Sequence, residues 1–441
     1  MKKDEAYQIL KALHTGNVPA YQGAKHIMCG HEEERDIIFK ELQNIKFKEN
    51  GDSHSGFKMI YGPYGSGKSF LCEILKEDAL QDNFVVSDIV ISKNTKLNNF
   101  ENIYNKIMIG LRTNEYRDFS AFRIILESWI EKEKQKIINK FNLDPDENEE
   151  DEEKLVEKLQ DAISLELQKA NTTNVSIINA ITSFYLALMN GDNNLAQQSL
   201  SWLAGDQNIP ADIRKSIGVK GSVDKNNVFE FLKTLLYIID KSGYSGLLII
   251  IDEVETVRKE RKDIRYQSYE NLRLLIDMVG KDNLPGCYLL LTGTDELIED
   301  EEKGIKEHDA LYTRIEPIRL GDIRVLEQPL IRLNRFNSSQ LIEISKKVRA
   351  VHGFAYDWNP ETKLTDEFIV EYVNNFTQAF GQEVSVLPRT YLRNLVFILE
   401  AAKNEPMSKI KSLLNISEEQ VRELNKQIEI HGREVAVEIE L

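Results

Sequence analysis

Cysteine is scarce: the 441 residues hold three, Cys29, Cys72 and Cys287, with no CxxC pair and no histidine cluster beside them. That excludes a disulfide framework and supplies no zinc-site spacing, so all three are expected as reduced, mostly buried thiols. His31 lies two residues from Cys29, yet a metal site would need further ligands that the neighbouring sequence does not offer. Prolines number ten, and 41% apolar with 29% charged residues describes a helix-leaning globular protein rather than a disordered one. An excess of positive charge is missing as well. The formal charge of −16 argues against a surface coated in positive potential for indiscriminate nucleic-acid binding, while leaving room for a local basic face. Long apolar runs are absent too. The longest, Leu247 to Ile251 and Tyr288 to Leu291, fall far short of a bilayer span. MKKDEAYQIL carries charge where a secretory signal needs an unbroken apolar stretch. The expectation is a cytoplasmic protein without a membrane partner.

What is present is a set of short apolar runs among long helical ones, in a chain long enough for two or three domains. DEAYQILKALHTG and HEEERDIIFKELQNI have helical apolar spacing, so residues 1–55 read as a helical N-terminal segment ending in the turn-rich NGDSHSG. FKMIY and FVVSDIVIS are strand candidates within residues 56–93, with a helix between them starting near Ser69. Residues 94–242 are overwhelmingly helical and form a long insertion; its acidic run DPDENEEDEEK reads most simply as a solvated loop. In residues 243–325 the runs GLLIIIDEVE, CYLLLTGT and RIEPIRL are three more strand candidates, with the helical QSYENLRLLIDMVG between the first two. Residues 326–441 return to helix and end in a tail. Continuous apolar strands alternating with helices predict an α/β fold, a parallel sheet covered by helices on both faces.

One junction carries chemistry. Gly62, Gly67, Lys68 and Ser69 fit the pattern GxxxxGK[ST] between a strand candidate and a helix candidate. Glycines let backbone N–H groups converge on phosphate oxygens, and the helix that begins at the Lys-Ser pair aims its positive end at the same anion. Lys68 can reach the β- and γ-phosphates, and the Ser69 hydroxyl can complete an Mg²⁺ octahedron. The whole loop, Gly62, Pro63, Tyr64, Gly65, Ser66, Gly67, Lys68, Ser69 and Phe70, is therefore the candidate segment for binding ATP. The alternative is a Gly-rich turn that happens to end in Lys-Ser.

A phosphate cradle alone cleaves nothing. LLIIIDE, residues 247 to 253, would present Asp252 to the metal at the end of a buried strand, with Glu253 next to polarise an attacking water. Glu255 is either a supporting carboxylate or surface. Thr292, where LLLTGT ends, is a candidate for sensing the γ-phosphate, with Thr294 as the second choice and a plain turn former as the alternative. Arg314 ends a helix-like stretch, HDALYTRI, ahead of a strand candidate; it is either an arginine that reaches a neighbouring copy's nucleotide or an ordinary ion-paired one. Arg389, beside Pro388 and four residues before Arg393, stands where it could swing onto the same nucleotide.

Together the phosphate loop, the Asp252 strand, the Thr-ended strand, Arg314 and Arg389 resemble an AAA+ ATPase over residues 25 to about 405. Six phrases, ALHTGNVPAYQGAKHIMCGHEEE, GPYGSGKSF, WLAGD, GYSGLLIIIDEVE, HDALYTRI and LPRTYLRNLV, are similar to the BREX-system ATP-binding proteins of prokaryotic phage defence, the BrxD-like group. The resemblance implies an AAA+ core with a helical insertion, a C-terminal helical lid, ATP with Mg²⁺, a homo-oligomer and other defence proteins as partners. It implies Arg314 as a trans-acting finger, Arg389 as the lid sensor, and Cys29 and Gly30 lining the adenine pocket. His31 departs from the pattern, standing where related ATPases often have Arg after the Gly.

Three functions compete. The first is an ATPase acting on DNA or a DNA-bound partner, with Arg319 to Arg349, including Arg324, Arg332, Arg335, Lys346 and Lys347, as a candidate basic face; the alternative is the polar side of lid helices. The second is a nucleotide-dependent scaffold whose helical insertion docks a helicase, methyltransferase or nuclease. The third is an origin-recognition-like DNA loader, disfavoured because residues 406 to 441 lack a clear basic recognition-helix pattern.

Overall fold

The computed structural model describes residues 1–19, 21–48, 53–145, 148–169, 173–318, 324–379 and 388–412. Arg319 of the basic stretch, Asp146 and Glu147 of the acidic run, and the tail 413–441 lie outside them. Five strands, β1 (Gly56–Tyr61), β2 (Val85–Val90), β3 (Leu247–Asp252), β4 (Cys287–Gly293) and β5 (Leu330–Arg332), form one sheet in the order β2-β3-β4-β1-β5. Val85 lies opposite Leu247, and Leu247 opposite Cys287, in parallel ladders. β1 and β5 also run the same way: Met59 N donates to Pro329 O and Leu333 N to Tyr61 O, each at 2.8 Å, so the ladder climbs both strands together. β3 is buried along Leu247 to Ile251, which is why its sequence is an unbroken apolar run rather than an alternating one.

The fifth strand is not where the sequence pattern put it. Arg314 and Ile315 close the helix Asp309–Ile315, and the strand comes later, at Leu330–Arg332. His308 Nδ1 accepts the Leu311 N–H at 3.1 Å and so caps that helix, while Pro317 cannot donate to a ladder. The acidic run is corrected as well. Half of it is not loop but the start of the helix Glu149–Lys169, where carboxylates meet the positive end of the helix.

The chain divides into two compact units. One comprises Met1–Ile37, Ile60–Glu77 and Ile331–Leu441; the other comprises Ile38–Met59 and Asp78–Leu330. In the first, the helix Lys3–Thr15 buries Ala6, Ile9, Leu10 and Leu13, a stripe at helical spacing, and stops at Gly16 in the left-handed region. That stripe shares one core with Val348 and Val351 of the helix Ser338–Tyr356 and with Tyr391, Leu395 and Leu399 of the helix Pro388–Asn404. Helices far apart along the chain, Lys3–Thr15 and Ser338–Tyr356 with Pro388–Asn404, therefore build one core.

In the second unit seven helices, from Phe100–Gly110 to Val228–Lys241, intervene between β2 and β3, and the helix Lys262–Gly280 joins β3 to β4. Beneath them Lys58 of β1 is 1% exposed, with its ammonium on Glu41 Oε1 at 2.6 Å and on the carbonyls of Leu326 and Gln328 at 3.0 Å. All three of its donors are used, and Tyr288 Oη donates to the other Glu41 oxygen at 2.6 Å. The three cysteines are free and buried. Burial pushes the Cys287 thiol up to about 12, and burial with the nearby Glu343 carboxylate does the same for Cys29. Both stay protonated and inert at neutral pH. Among the described residues no helix is long and apolar enough to cross a membrane.

Candidate nucleotide-binding site

The phosphate loop leaves β1 after Tyr61 and ends where the helix Lys68–Gln81 begins, with Lys68 its first residue. Two glycines in it are required by space and backbone. Gly62 has φ 153°, and a Cβ there would stand 2.4 Å from the Leu333 carbonyl oxygen. Gly67 has φ 92°, and a Cβ would press to 3.3 Å on the His31 ring. Ser66 N donates to Pro63 O at 3.1 Å and closes the turn. Lys68 is buried, its Nζ donating to Gly62 O at 2.8 Å and Pro63 O at 3.1 Å. Tyr64 is 61% exposed, while Phe70 packs against the core of the helices Lys3–Thr15, Ser338–Tyr356 and Pro388–Asn404. Pro63, Gly65 and Ser69 are half-buried.

Cys29 and Gly30 lie in the same unit but face a helix start. Cys29 Sγ donates to Gln340 O at 3.3 Å, and a Cβ on Gly30 would come 2.5 Å from Gln340 Nε2. Gln340 itself closes the capping box of the helix Ser338–Tyr356 with Asn337, their reciprocal bonds 2.9 and 3.0 Å long. His31, which departs from the resemblance by standing where related ATPases often have Arg, turns to the phosphate loop: its Nε2 is 2.8 Å from Ser66 O.

The carboxylates belong to the other unit. Asp252 is the last residue of β3, and its Oδ1 accepts from the Thr292 hydroxyl at the end of β4. Glu253 N donates to Asp252 Oδ1 at 2.9 Å and to Thr292 Oγ1 at 3.2 Å. Glu253 is held at φ 58°, ψ 38°, a left-handed conformation uncommon for a residue with a Cβ, and it is exposed. Thr292 is fully buried, so what its position shows is a hydroxyl bracing the Asp252-Glu253 step. Thr294 is buried and precedes the helix Asp295–Glu299; Glu255 is buried too, which removes the surface alternative.

Arg314 donates from Nε to Asp277 Oδ1 at 2.9 Å, from Nη2 to Asp277 Oδ2 at 3.3 Å and from Nη1 to Ala310 O at 2.7 Å. The Arg314 hydrogen bond, ahead of the charges of Arg314 and Arg273, pulls the Asp277 carboxyl below its ordinary range. Asp277 is thus a partner that the sequence pattern gave no sign of, since it is 37 residues away. Arg389 is exposed in the first turn of the helix Pro388–Asn404. Within the basic stretch, Lys346 pairs with Asp366, Lys347 with Glu343, and the buried Arg349 with Glu361 and Asp366.

Ser69 and Asp252 offer a hydroxyl and a carboxylate, hard oxygen donors of the kind Mg²⁺ takes alongside phosphate oxygens and water. Among the described residues no three His, Cys, Asp or Glu side chains gather into a metal cage, and a phosphate-borne Mg²⁺ needs none. The donor chemistry fits the ion.

Comparison with curated proteins gives no match. The family model described as BREX system ATP-binding protein BrxC/D matches residues 1–418, nearly the whole chain. The protein belongs to that family of ATP-binding proteins of the BREX system.

Proposed function

We propose that this chain binds ATP with Mg²⁺ and hydrolyses it, as an AAA+-type ATPase that works with other components of the BREX system. The observation that carries the reading is the phosphate loop: β1 runs into two glycines whose backbone, at φ 153° and 92°, disfavours any side chain, and a helix starts at Lys68. Lys68 would exchange the Gly62 and Pro63 carbonyls for β- and γ-phosphate oxygens. Ser69 and Asp252 would hold Mg²⁺, which would neutralise charge on the phosphates. Glu253, braced through its own N–H and exposed, would polarise the attacking water.

Arg314 would act in trans in a homo-oligomer, after releasing Asp277, and Arg389 would serve as the arginine of a helical lid. The ion pairs of Lys346, Lys347 and Arg349 favour the polar-side alternative for the basic stretch. We therefore favour partner proteins of the defence system, a helicase, methyltransferase or nuclease in the cytoplasm, over bare DNA as what the ATPase acts on. Glu253→Gln should keep ATP binding and stop turnover, whereas Lys68→Ala should weaken binding as well, read by nucleotide titration and phosphate release. Normal turnover in Glu253→Gln rejects the base. A wild-type chain that binds ATP and releases no phosphate is instead the nucleotide-dependent scaffold.

A further inference from the structure

We infer that His31 is a positioning residue for the phosphate loop, not a contact to the base: it pins the Ser66 carbonyl and thereby aims the Gly67 N–H. The inference rests on the phosphate-loop assignment above. His31 Nε2 stands 2.8 Å from Ser66 O. A carbonyl oxygen only accepts, so Nε2 carries the hydrogen and donates it. The Ser66 C=O and the Gly67 N–H belong to one planar trans peptide and point in opposite directions. Holding the carbonyl toward His31 therefore turns the amide hydrogen away from the ring, onto the opposite side of the loop. Backbone N–H groups so turned are the donors a phosphate cradle consists of.

The ring is fitted to this task on its other sides. A Cβ on Gly67 would meet both His31 Cδ2 and Nε2 at 3.3 Å, so the imidazole already fills the flank of the loop that a side chain would take. Phe336 presses edge-on at a centroid distance of 5.9 Å and an interplanar angle of 90°. Nδ1 lies 3.5 Å from Glu34 Oε1, and the two side chains are 10% and 4% exposed. A ring so enclosed has little surface left for a purine. Its backbone is set for the same purpose: Gly30 at φ 69° and His31 at φ 66° are consecutive left-handed residues, which reverse the chain just before the helix Glu32–Asn44 and bring the imidazole to the loop.

The test separates phosphate from base recognition. His31→Phe keeps a ring and loses the donor; His31→Gln offers an amide donor on a flexible stem. Affinities of wild type, both variants and Lys68→Ala are measured for Mg·ATP, Mg·GTP and inorganic tripolyphosphate with Mg²⁺, with thermal unfolding of each ligand-free chain alongside. His31→Phe should weaken ATP and tripolyphosphate by the same factor, about tenfold for one lost hydrogen bond to an ordered loop, with the ATP-to-GTP preference unchanged. His31→Gln should recover part of both losses. Unchanged affinities in His31→Phe, or a shifted ATP-to-GTP preference with tripolyphosphate binding intact, overturn the inference. If His31→Phe does not fold, the same comparison in His31→Gln decides it, a loss falling on ATP alone being the refuting result. Failure of the phosphate-loop assignment reads differently: Lys68→Ala would then bind both phosphate ligands as wild type does, whatever His31 does.

Discussion

Replacing Thr292 by Val removes one hydroxyl and almost no volume, at a fully buried position beside Asp252, the proposed metal ligand, and Glu253, the proposed base. The hydroxyl donates to Asp252 Oδ1 and accepts the Glu253 N–H at 3.2 Å. A hydrogen bond to a charged group contributes about 1.5–3 kcal/mol. Two features put this one at the lower end. Glu253 N–H keeps its second acceptor, Asp252 Oδ1, at 2.9 Å, and Asp252 is only half-buried, so water can replace part of what is lost. A loss of about 1.5 kcal/mol is roughly tenfold in rate if it falls on the orientation of Glu253. The phosphate loop is untouched by the change. Thr292→Val should therefore lower kcat about tenfold and leave KM for ATP within about twofold, in steady-state phosphate release against ATP concentration. Thr292→Ser, which keeps the hydroxyl, should lose less. A folded Thr292→Val protein with wild-type kcat refutes the bracing role. A rise in KM alone would point instead to direct contact with the γ-phosphate.

Other outcomes follow from the same geometry. Arg314→Ala should abolish cooperative turnover with ATP binding retained, and Asp277→Asn should shift activation to lower protein concentration by freeing Arg314; concentration-dependent ATPase assays check both. Lys58→Met strands Glu41 and two carbonyls, so it should cost about 3 kcal/mol, the low end for a broken buried pair because Glu41 is 30% exposed. Calorimetry should show a midpoint lower by about 3–5 °C, and an unchanged midpoint would refute the estimate. His352 is fully buried, accepts the Trp358 indole N–H at 2.9 Å through Nδ1, and has its pKa lowered from 6.5 to about 4 by burial and then by Lys403. The folded state keeps it neutral while the unfolded chain takes up a proton, so its contribution is complete above 6.5 and lost as pH falls toward about 4. That loss is roughly 3 kcal/mol, and denaturant titrations of His352→Gln should show a flatter dependence across that interval.

The parts of the site that could be read from the chain were those written in consecutive residues. GPYGSGKS needs no distant partner to be recognised, and LLIIIDE announces a buried strand with carboxylates at its end, because burial on both faces leaves an unbroken apolar run. Contacts between segments were not legible. Nothing near Arg314 indicates Asp277, and nothing near Ser66 indicates His31, whose left-handed backbone is what delivers its ring to the loop. RIEPIRL misled for a related reason: a cap supplied by His308 made helix of its first residues, whereas a three-residue strand such as Leu330–Arg332 is too short to leave a pattern. In Lys58 a charged side chain occupies a strand interior, tolerated only because three acceptors from elsewhere surround it.

The shared core of the helices Lys3–Thr15, Ser338–Tyr356 and Pro388–Asn404 sets a schedule for synthesis. Ile9, Leu10 and Leu13 are made more than three hundred residues before Val348 and Val351, and nearly four hundred before Leu395 and Leu399. At about 5–20 residues per second the wait is roughly 20–80 seconds, during which the apolar stripe lacks part or all of its native cover. The segment from Asp78 to Leu330 can meanwhile complete its own contacts. A nascent chain stalled before residue 388 would thus carry a finished sheet and a helix Lys3–Thr15 covered by Ser338–Tyr356 but not yet by Pro388–Asn404, a species for chaperones to hold rather than one able to assemble.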